Sequence, residues 1–186
     1  NNNAKLRLTV REDLGNTNLA HIIKPAVCVA KEKQPQNTSG GTTSSGTYLT
    51  REINTFSGET WFVSGFNGTL GAGTNTQFDL DAGTYEVMGS SVAYQSEAAF
   101  TRFASVNSST GAVDGVVEIM GINNYLQTGE GSGSNFFSGS FTITSKTSFR
   151  VFTHTQTGKA TFGGGVQANV SGREEVYVDL QIKKLK

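Results

Sequence analysis

The 186-residue chain has one cysteine, two prolines and no apolar run approaching the roughly 20 residues that cross a bilayer. Each scarcity removes a class of protein. A lone cysteine forms no intrachain disulfide, so no disulfide framework holds the fold. Cys28 lies in Ala26-Val27-Cys28-Val29-Ala30 and reads as a small core residue with an inert thiol. An excess of one charge is lacking too, since 15 Lys and Arg balance 15 Asp and Glu for a formal net charge of +0. That balance offers no electrostatic footprint for DNA, RNA or an anionic membrane, so no nucleic acid and no membrane insertion are expected. The sequence is also poor in the Ala, Leu, Glu and Lys that favour helices.

What is there instead is 23 Gly, 12 Phe and many Thr, Val and Tyr set between clusters of Gly, Ser and Asn. A disordered chain has few aromatics and many charges, whereas here aromatics reach 10% and charged residues only 16%. Short strands joined by turns have this composition.

Residues 1–25 read as a stalk, collar or docking segment, in which Lys5-Leu6-Arg7-Leu8-Thr9-Val10-Arg11 alternates apolar with polar. Pro25 marks the boundary with a head domain over 26–186. The start at Asn1-Asn2-Asn3 without Met implies a piece of a longer polypeptide. Beyond Pro25, strands are expected over Val27–Lys33, Tyr48–Asn54, Trp61–Val63, Tyr85–Met88, Ala98–Val106, Val116–Met120, Phe136–Ile143 and Phe149–Phe152. Phe78 and Leu80 lead into a tight turn at Asp81-Ala82-Gly83, where glycine is expected to take positive φ. Asn107-Ser108-Ser109-Thr110-Gly111 reads as another turn, and Asn123–Ser134 as a long polar loop. Val176, Val178, Leu180 and Ile182 alternate strictly at the end of the chain, as one buried face of a strand. The total is about 8–10 antiparallel strands with no helix, which demands a sandwich or barrel. No repeat of fixed period supports a propeller or β-helix.

Three stretches carry a family resemblance. The first is Gly40-Gly41-Thr42-Thr43-Ser44-Ser45-Gly46-Thr47-Tyr48-Leu49-Thr50-Arg51-Glu52-Ile53-Asn54-Thr55. The second is Phe78-Asp79-Leu80-Asp81-Ala82-Gly83-Thr84-Tyr85-Glu86-Val87, similar to a family hairpin. The third is Ser138-Gly139-Ser140-Phe141-Thr142-Ile143 with the closing strand from Glu175 to Leu185. From about Lys31 onward the chain resembles the C1q/TNF-like jelly-roll heads at the C-termini of phage tail-fibre and other virion fibre proteins. The departure from the pattern is the Gly-rich insert Gly65 to Asn75. The resemblance implies an all-β jelly-roll sandwich, a homotrimer, a place on the virion surface and attachment to a host-cell glycan or protein. Contact with other virion proteins would then fall to the N-terminal segment. A purely structural head fibre, decoration or collar component is the alternative.

No constellation in the sequence carries catalysis, and no cofactor or metal is expected. His21 and His154 lack zinc-ligand spacing. Asp114 and Glu118 do not form a glycosidase pair on a helix face, and Asp79 with Asp81 lacks a calcium-loop pattern. The four Asn-x-Ser/Thr sequons are expected by chance in so Asn- and Ser-rich a chain. Binding is therefore expected on loops. Pairing the first and last strands antiparallel groups the loops 35–46, 93–97, 122–134 and 155–172 at the end away from the termini. Their candidate receptor-binding residues are Tyr94, Gln95, Asn123, Asn124, Tyr125, Gln127 and Gln156. Aromatic faces stack on sugar rings, and side-chain amides bond sugar hydroxyls.

Overall fold

Alternation fixes which way each strand faces. In β1 (Ala26–Gln34), Ala26, Cys28, Ala30 and Glu32 are buried while their neighbours are not. β7 (Glu97–Val106) and β11 (Thr147–Thr155) bury Phe103, Phe149 and Val151 with less than 1% exposure. The coordinates, a computed structural model, describe residues 25–65, 76–95, 97–122, 124–126, 131–168 and 170–185. The alternating segment Lys5–Arg11, His21 and most of the Gly-rich insert lie outside them.

Twelve strands are described. The others are β2 (Thr47–Thr50), β3 (Thr55–Gly58), β4 (Val63–Ser64), β5 (Phe78–Leu80), β6 (Gly83–Tyr94), β8 (Val113–Met120), β9 (Asn124–Leu126), β10 (Ser132–Ile143) and β12 (Glu175–Lys184). Five of them have four residues or fewer, too short to reveal a period in sequence. The front sheet runs β10-β6-β12-β1-β3 and the back sheet β4-β5-β11-β7-β8, with β2 added to β11 and β9 to β7. Every pairing is antiparallel. From β5 the chain crosses to β6 in front, returns to β7 and β8, crosses to β10, returns to β11 and closes on β12. That order, in which strands from the two halves of the chain interleave within each sheet, is a jelly roll.

Four local expectations change. The stretch Tyr48–Asn54 is not one strand, because β2 belongs to the back sheet and β3 to the front. Between them Arg51 N–H donates to Val151 O (2.9 Å) and Asn54 N–H to Lys31 O (3.0 Å), so the crossing bonds to each sheet in turn. Asp81-Ala82 likewise joins β5 behind to β6 in front and is a corner rather than a hairpin. The Tyr85 hydroxyl closes the corner by donating to Asp81 O at 2.6 Å, and Gly83, at φ 158°, is nearly extended. The polar stretch 123–134 holds β9, paired with β7, and the start of β10. Finally, the alternation of β12 changes phase at Tyr177, so Val178, Leu180 and Ile182 are buried but Val176 is 42% exposed. A β-bulge is the cause: Glu32 pairs with Val178 and Lys33 with Val176, leaving Tyr177 unpaired.

The turn at Asn107–Gly111 forms as expected. Asn107 Oδ1 accepts from the N–H groups of Ser109 and Thr110, both at 3.0 Å, and Gly111 has φ 69°. Cys28 is fully buried, and burial pushes its thiol up to about 11, so it is neutral and unreactive near pH 7.

Candidate functional site

The strand registers define two ends. Ala26 pairs with Lys184, so the described chain enters and leaves together at what we term the base. β1 then runs away from the base, and β12 returns from the distal end. Tyr94 pairs with Ser132 and Thr155 with Ala99, which brings the connections 35–46, 95–96 and 156–174 to that distal end.

A polar framework ties these connections together. Arg51 and Glu32 form a buried ion pair, Nε to Oε2 at 2.8 Å, with side-chain exposures of 0% and 4%. Arg51 Nη1 also donates to the carbonyls of Gly40 (3.3 Å) and Gly164 (3.1 Å), one from each connection. The two backbones cross there: Gly40 N–H donates to Gly165 O and Gly164 N–H to Gly41 O, both at 3.0 Å. A Cβ on Gly40 or Gly164 would strike the other's carbonyl, so both positions require glycine. Ser39, Thr42 and Tyr177 add hydroxyl bonds to Thr161 O, Ala160 O and Thr38 O. Burial raises the Glu32 carboxyl above its ordinary range, against the opposing pull of the Arg51 charge. Burial also pushes the Tyr177 hydroxyl up to about 12.

Of the sequence-predicted residues, Tyr94, Gln95 and Gln156 lie at this end. Tyr94 is half-buried, edge-on to Phe162 at 6.4 Å, and its N–H donates to Gly163 O. Gln95 takes a left-handed φ of 48°, with its N–H bonded to Gly131 O at 3.2 Å. Gln156 is exposed, and its N–H donates to Ala98 O at 2.8 Å. Asn124 and Tyr125 lie in β9, paired with Ala99 and Ala98, while Asn123 and Gln127 fall outside the described residues. Arg51 was not foreseen as part of this end, and Phe162, though within the predicted distal connection 155–172, was not among the candidate residues. The Gly-Gly pairs at 40–41 and 163–164 were the available signal for a close backbone crossing.

The second notable surface is apolar. Met88, Met120, Ile122 and Phe136 are 56%, 48%, 75% and 61% exposed. Together with Phe137, Asp179 and Gln181 they line a groove of about 590 Å³ that runs from the outer face of β6 and β12 to the β8–β10 edge.

The acidic residues have structural partners. Asp114 accepts from the Ser105 hydroxyl and from Val116 N–H, and Glu118 pairs with Arg102 at 2.9 Å. Asp79 accepts from the Ser148 hydroxyl at 2.6 Å, and Asp81 lies 3.5 Å from Lys146 Nζ. Among the described residues, no group of three or more His, Cys, Asp or Glu side chains is placed to hold a metal ion. His154 stacks on Phe100 at 4.7 Å beside Tyr48.

No protein-family model matches the chain, and no curated protein matches its sequence. Solved structures similar in fold include murine APRIL at pH 5.0, with TM-score 0.47, 10% identity, and coverage of 87% of this chain and 99% of that one. The globular domain of zebrafish complement 1qA protein gives 0.40 and 11%, covering 86% and 94%. The Eiger TNF of S. frugiperda gives 0.45 and 9%, covering 87% and 93%. The jelly-roll assignment rests on the strand order of this chain.

Proposed function

We propose that this chain is the homotrimeric head of a virion fibre, that of a bacteriophage, and that it attaches the particle to a host-cell surface glycan by binding alone. The observation that carries the reading is the exposed groove of Met88, Met120, Ile122 and Phe136. Four large apolar side chains left in water on one side of a domain mark a surface that another protein covers. The groove has a face part on β6 and β12 and an edge part at β8 and β10. An edge packed on a neighbour's face is a head-to-tail contact, and such contacts close into rings. Three copies form the ring that the family resemblance implies. Each copy would then present its distal connections side by side, and three modest sites acting together give one avid contact with a cell surface. The acid groups engaged in turns and ion pairs are consistent with binding rather than hydrolysis.

A structural cap without a receptor is the second reading. The cross-tying of 38–43 to 159–165 favours it, because that layer also suits a rigid lid. Two measurements separate the readings. Sedimentation equilibrium is expected to give a trimer that Met88→Lys with Phe136→Lys converts to smaller species; a folded monomer of the parent at micromolar concentration overturns the assembly. The parent trimer is then expected to bind intact host cells and to be competed by their extracted surface polysaccharide. A trimer that binds no cells leaves the structural cap.

A further inference from the structure

Resting on the glycan-attachment reading above, we propose that the cleft beside Arg51 is a subsite for a single neutral, hydroxyl-rich sugar ring. The cleft has a volume of about 160 Å³ and lies between the connection 38–41 and the crossing 49–52, with Glu32 of β1 in its wall. Pockets for drug-sized ligands hold roughly 300–1,000 Å³, so this one suits one ring and not an extended chain. It contains a spare donor. Arg51 is buried, and its guanidinium carries five N–H groups in one plane. Nε is engaged by Glu32 at 2.8 Å, and Nη1 by Gly40 O and Gly164 O at 3.3 and 3.1 Å. Nη2 has no hydrogen-bond partner among the described residues. In a planar fork Nη2 lies between those two sets of bonds, and Glu32 and Gly40 both line the cleft. A buried donor without an acceptor is costly, and a ligand oxygen relieves that cost.

The surrounding charge selects the kind of sugar. Two carboxylates, Glu32 and Glu52, line the cleft against the one guanidinium of Arg51, and Gln34 and Thr38 add neutral polar side chains. A uronate, a sialate or a phosphate meets net repulsion from that set. A hydroxyl does not, because it accepts from Nη2 through its oxygen and donates its proton to a carboxylate. Two neighbouring hydroxyls of one ring can also divide those tasks. Neutral hexoses and N-acetylhexosamines have that pattern. The position is the distal end, where the connections 35–46 and 156–174 meet, so a terminal sugar on a cell surface can reach it.

One ring makes few bonds, so the probes are free methyl glycosides at millimolar concentration. They are those of glucose, galactose, mannose, rhamnose and N-acetylglucosamine, with methyl glucuronide as the charged counterpart. Saturation-transfer NMR on the full chain is expected to show binding of at least one neutral glycoside and none of the glucuronide. Thr38→Trp fills the cleft while keeping the main-chain bonds of residue 38 to Pro35 and Tyr177, and is expected to abolish that binding. Glu52→Gln, outside every described strand, is expected to melt with the parent and to weaken binding several-fold. Arg51 stays intact, because its loss also releases Glu32 and both connections. The proposal is overturned by a parent that binds no neutral glycoside or prefers the glucuronide, and equally by binding that survives Thr38→Trp. Should Thr38→Trp not fold, unchanged binding in Glu52→Gln overturns it instead. Attachment to cells is read separately. A parent that holds host cells but no glycoside sinks the subsite and leaves the attachment reading standing. Glycoside binding that Thr38→Trp removes, in a parent that holds no cells, supports the subsite and sinks that reading.

Discussion

The two halves of the sandwich interior are built from different materials. Toward the base the inward positions are Phe62, Phe78, Leu80, Tyr85, Phe103, Phe149 and Ile182, with Phe103 stacked on Phe149 at 4.9 Å. Toward the distal end, the same strands turn inward Ser91, Thr101, Thr153, Thr155 and Asn135, all at 1% exposure or less, beside the buried pair of Arg51 and Glu32. Ser91 Oγ lies within hydrogen-bond reach of both Thr101 and Thr153 across the interlayer space. Apolar packing is non-directional and tolerates repacking, so the base can be a general anchor. Hydrogen bonds have direction and are costly when broken in the interior. A polar interior beneath the distal loops therefore fixes their positions more narrowly than oily packing would. That half depends on the bonds made by Ser91, Thr101, Thr153 and Arg51.

The comparison breaks most visibly with one large deletion in each half. Phe103→Ala is expected to cost about 3–5 kcal/mol, the transfer and cavity cost of a buried aromatic ring. Arg51→Ala is expected to cost a similar ~3–5 kcal/mol for another reason, since it leaves the Glu32 carboxylate buried without its cation. Chemical denaturation measures both. Amide exchange below the transition tells the halves apart. Arg51→Ala should expose the amides of Gly40 and Gly164, whose neighbouring carbonyls it holds, while Phe103→Ala should leave them protected. If both variants open those amides alike, the interior is one cooperative unit and the division into halves is wrong.

A finer test uses the hydroxyl cluster. Ser91→Ala alone is expected to cost about 1–3 kcal/mol, because Thr101 and Thr153 each lose a buried partner. Replacing all three, as Ser91→Ala, Thr101→Val and Thr153→Val, should cost clearly less than the sum of the single changes, since no stranded hydroxyl remains. Strict additivity would mean that the hydroxyls act independently and that the distal half owes little to the cluster.

The same division explains what the sequence revealed. The base strands were legible because apolar residues recur every second position, as at Phe149 and Val151 or Leu180 and Ile182. At the distal end, Ser91, Thr101, Thr153 and Thr155 have the side chains of a solvated face, so a period-2 reading sends them outward when they point in. Arg51 was read as part of a strand motif, and nothing local reveals that its partner is Glu32 or that Gly164 lies against it. The bulge at Tyr177 inverts the facing of Val176 without any mark in composition. The segment 123–134 read as a loop because three residues of β9 are too few to display alternation. The loops gathered at the distal end were predictable from strand counting alone, as antiparallel connectivity leaves each connection only two ends to occupy.

The smallest expected change in stability, and the most telling for function, comes from two of the sequence-predicted binding residues. If recognition lies on these connections, Tyr125→Ala with Gln156→Ala is expected to shift stability by no more than about 0.5 kcal/mol per residue, the scale of surface substitutions. The pairing of β9 with β7 runs through backbone groups at Ala98 and Ala99, which alanine at 125 retains. Gln156 is exposed, and its anchoring bond to Ala98 also comes from the main chain. On the proposed function, however, the pair should weaken attachment to host cells. Loss of one stacking aromatic costs roughly 1–3 kcal/mol per site, a scale taken from base stacking, and three sites in one particle multiply the effect. A variant that melts with the parent and binds cells far less well locates recognition on the polar half. If it melts well below the parent, Tyr125 belongs to the interior, and the polar framework extends further outward than Arg51 and the hydroxyl cluster. If it melts and binds like the parent, these two residues are no part of recognition, and the distal framework serves as the rigid cap.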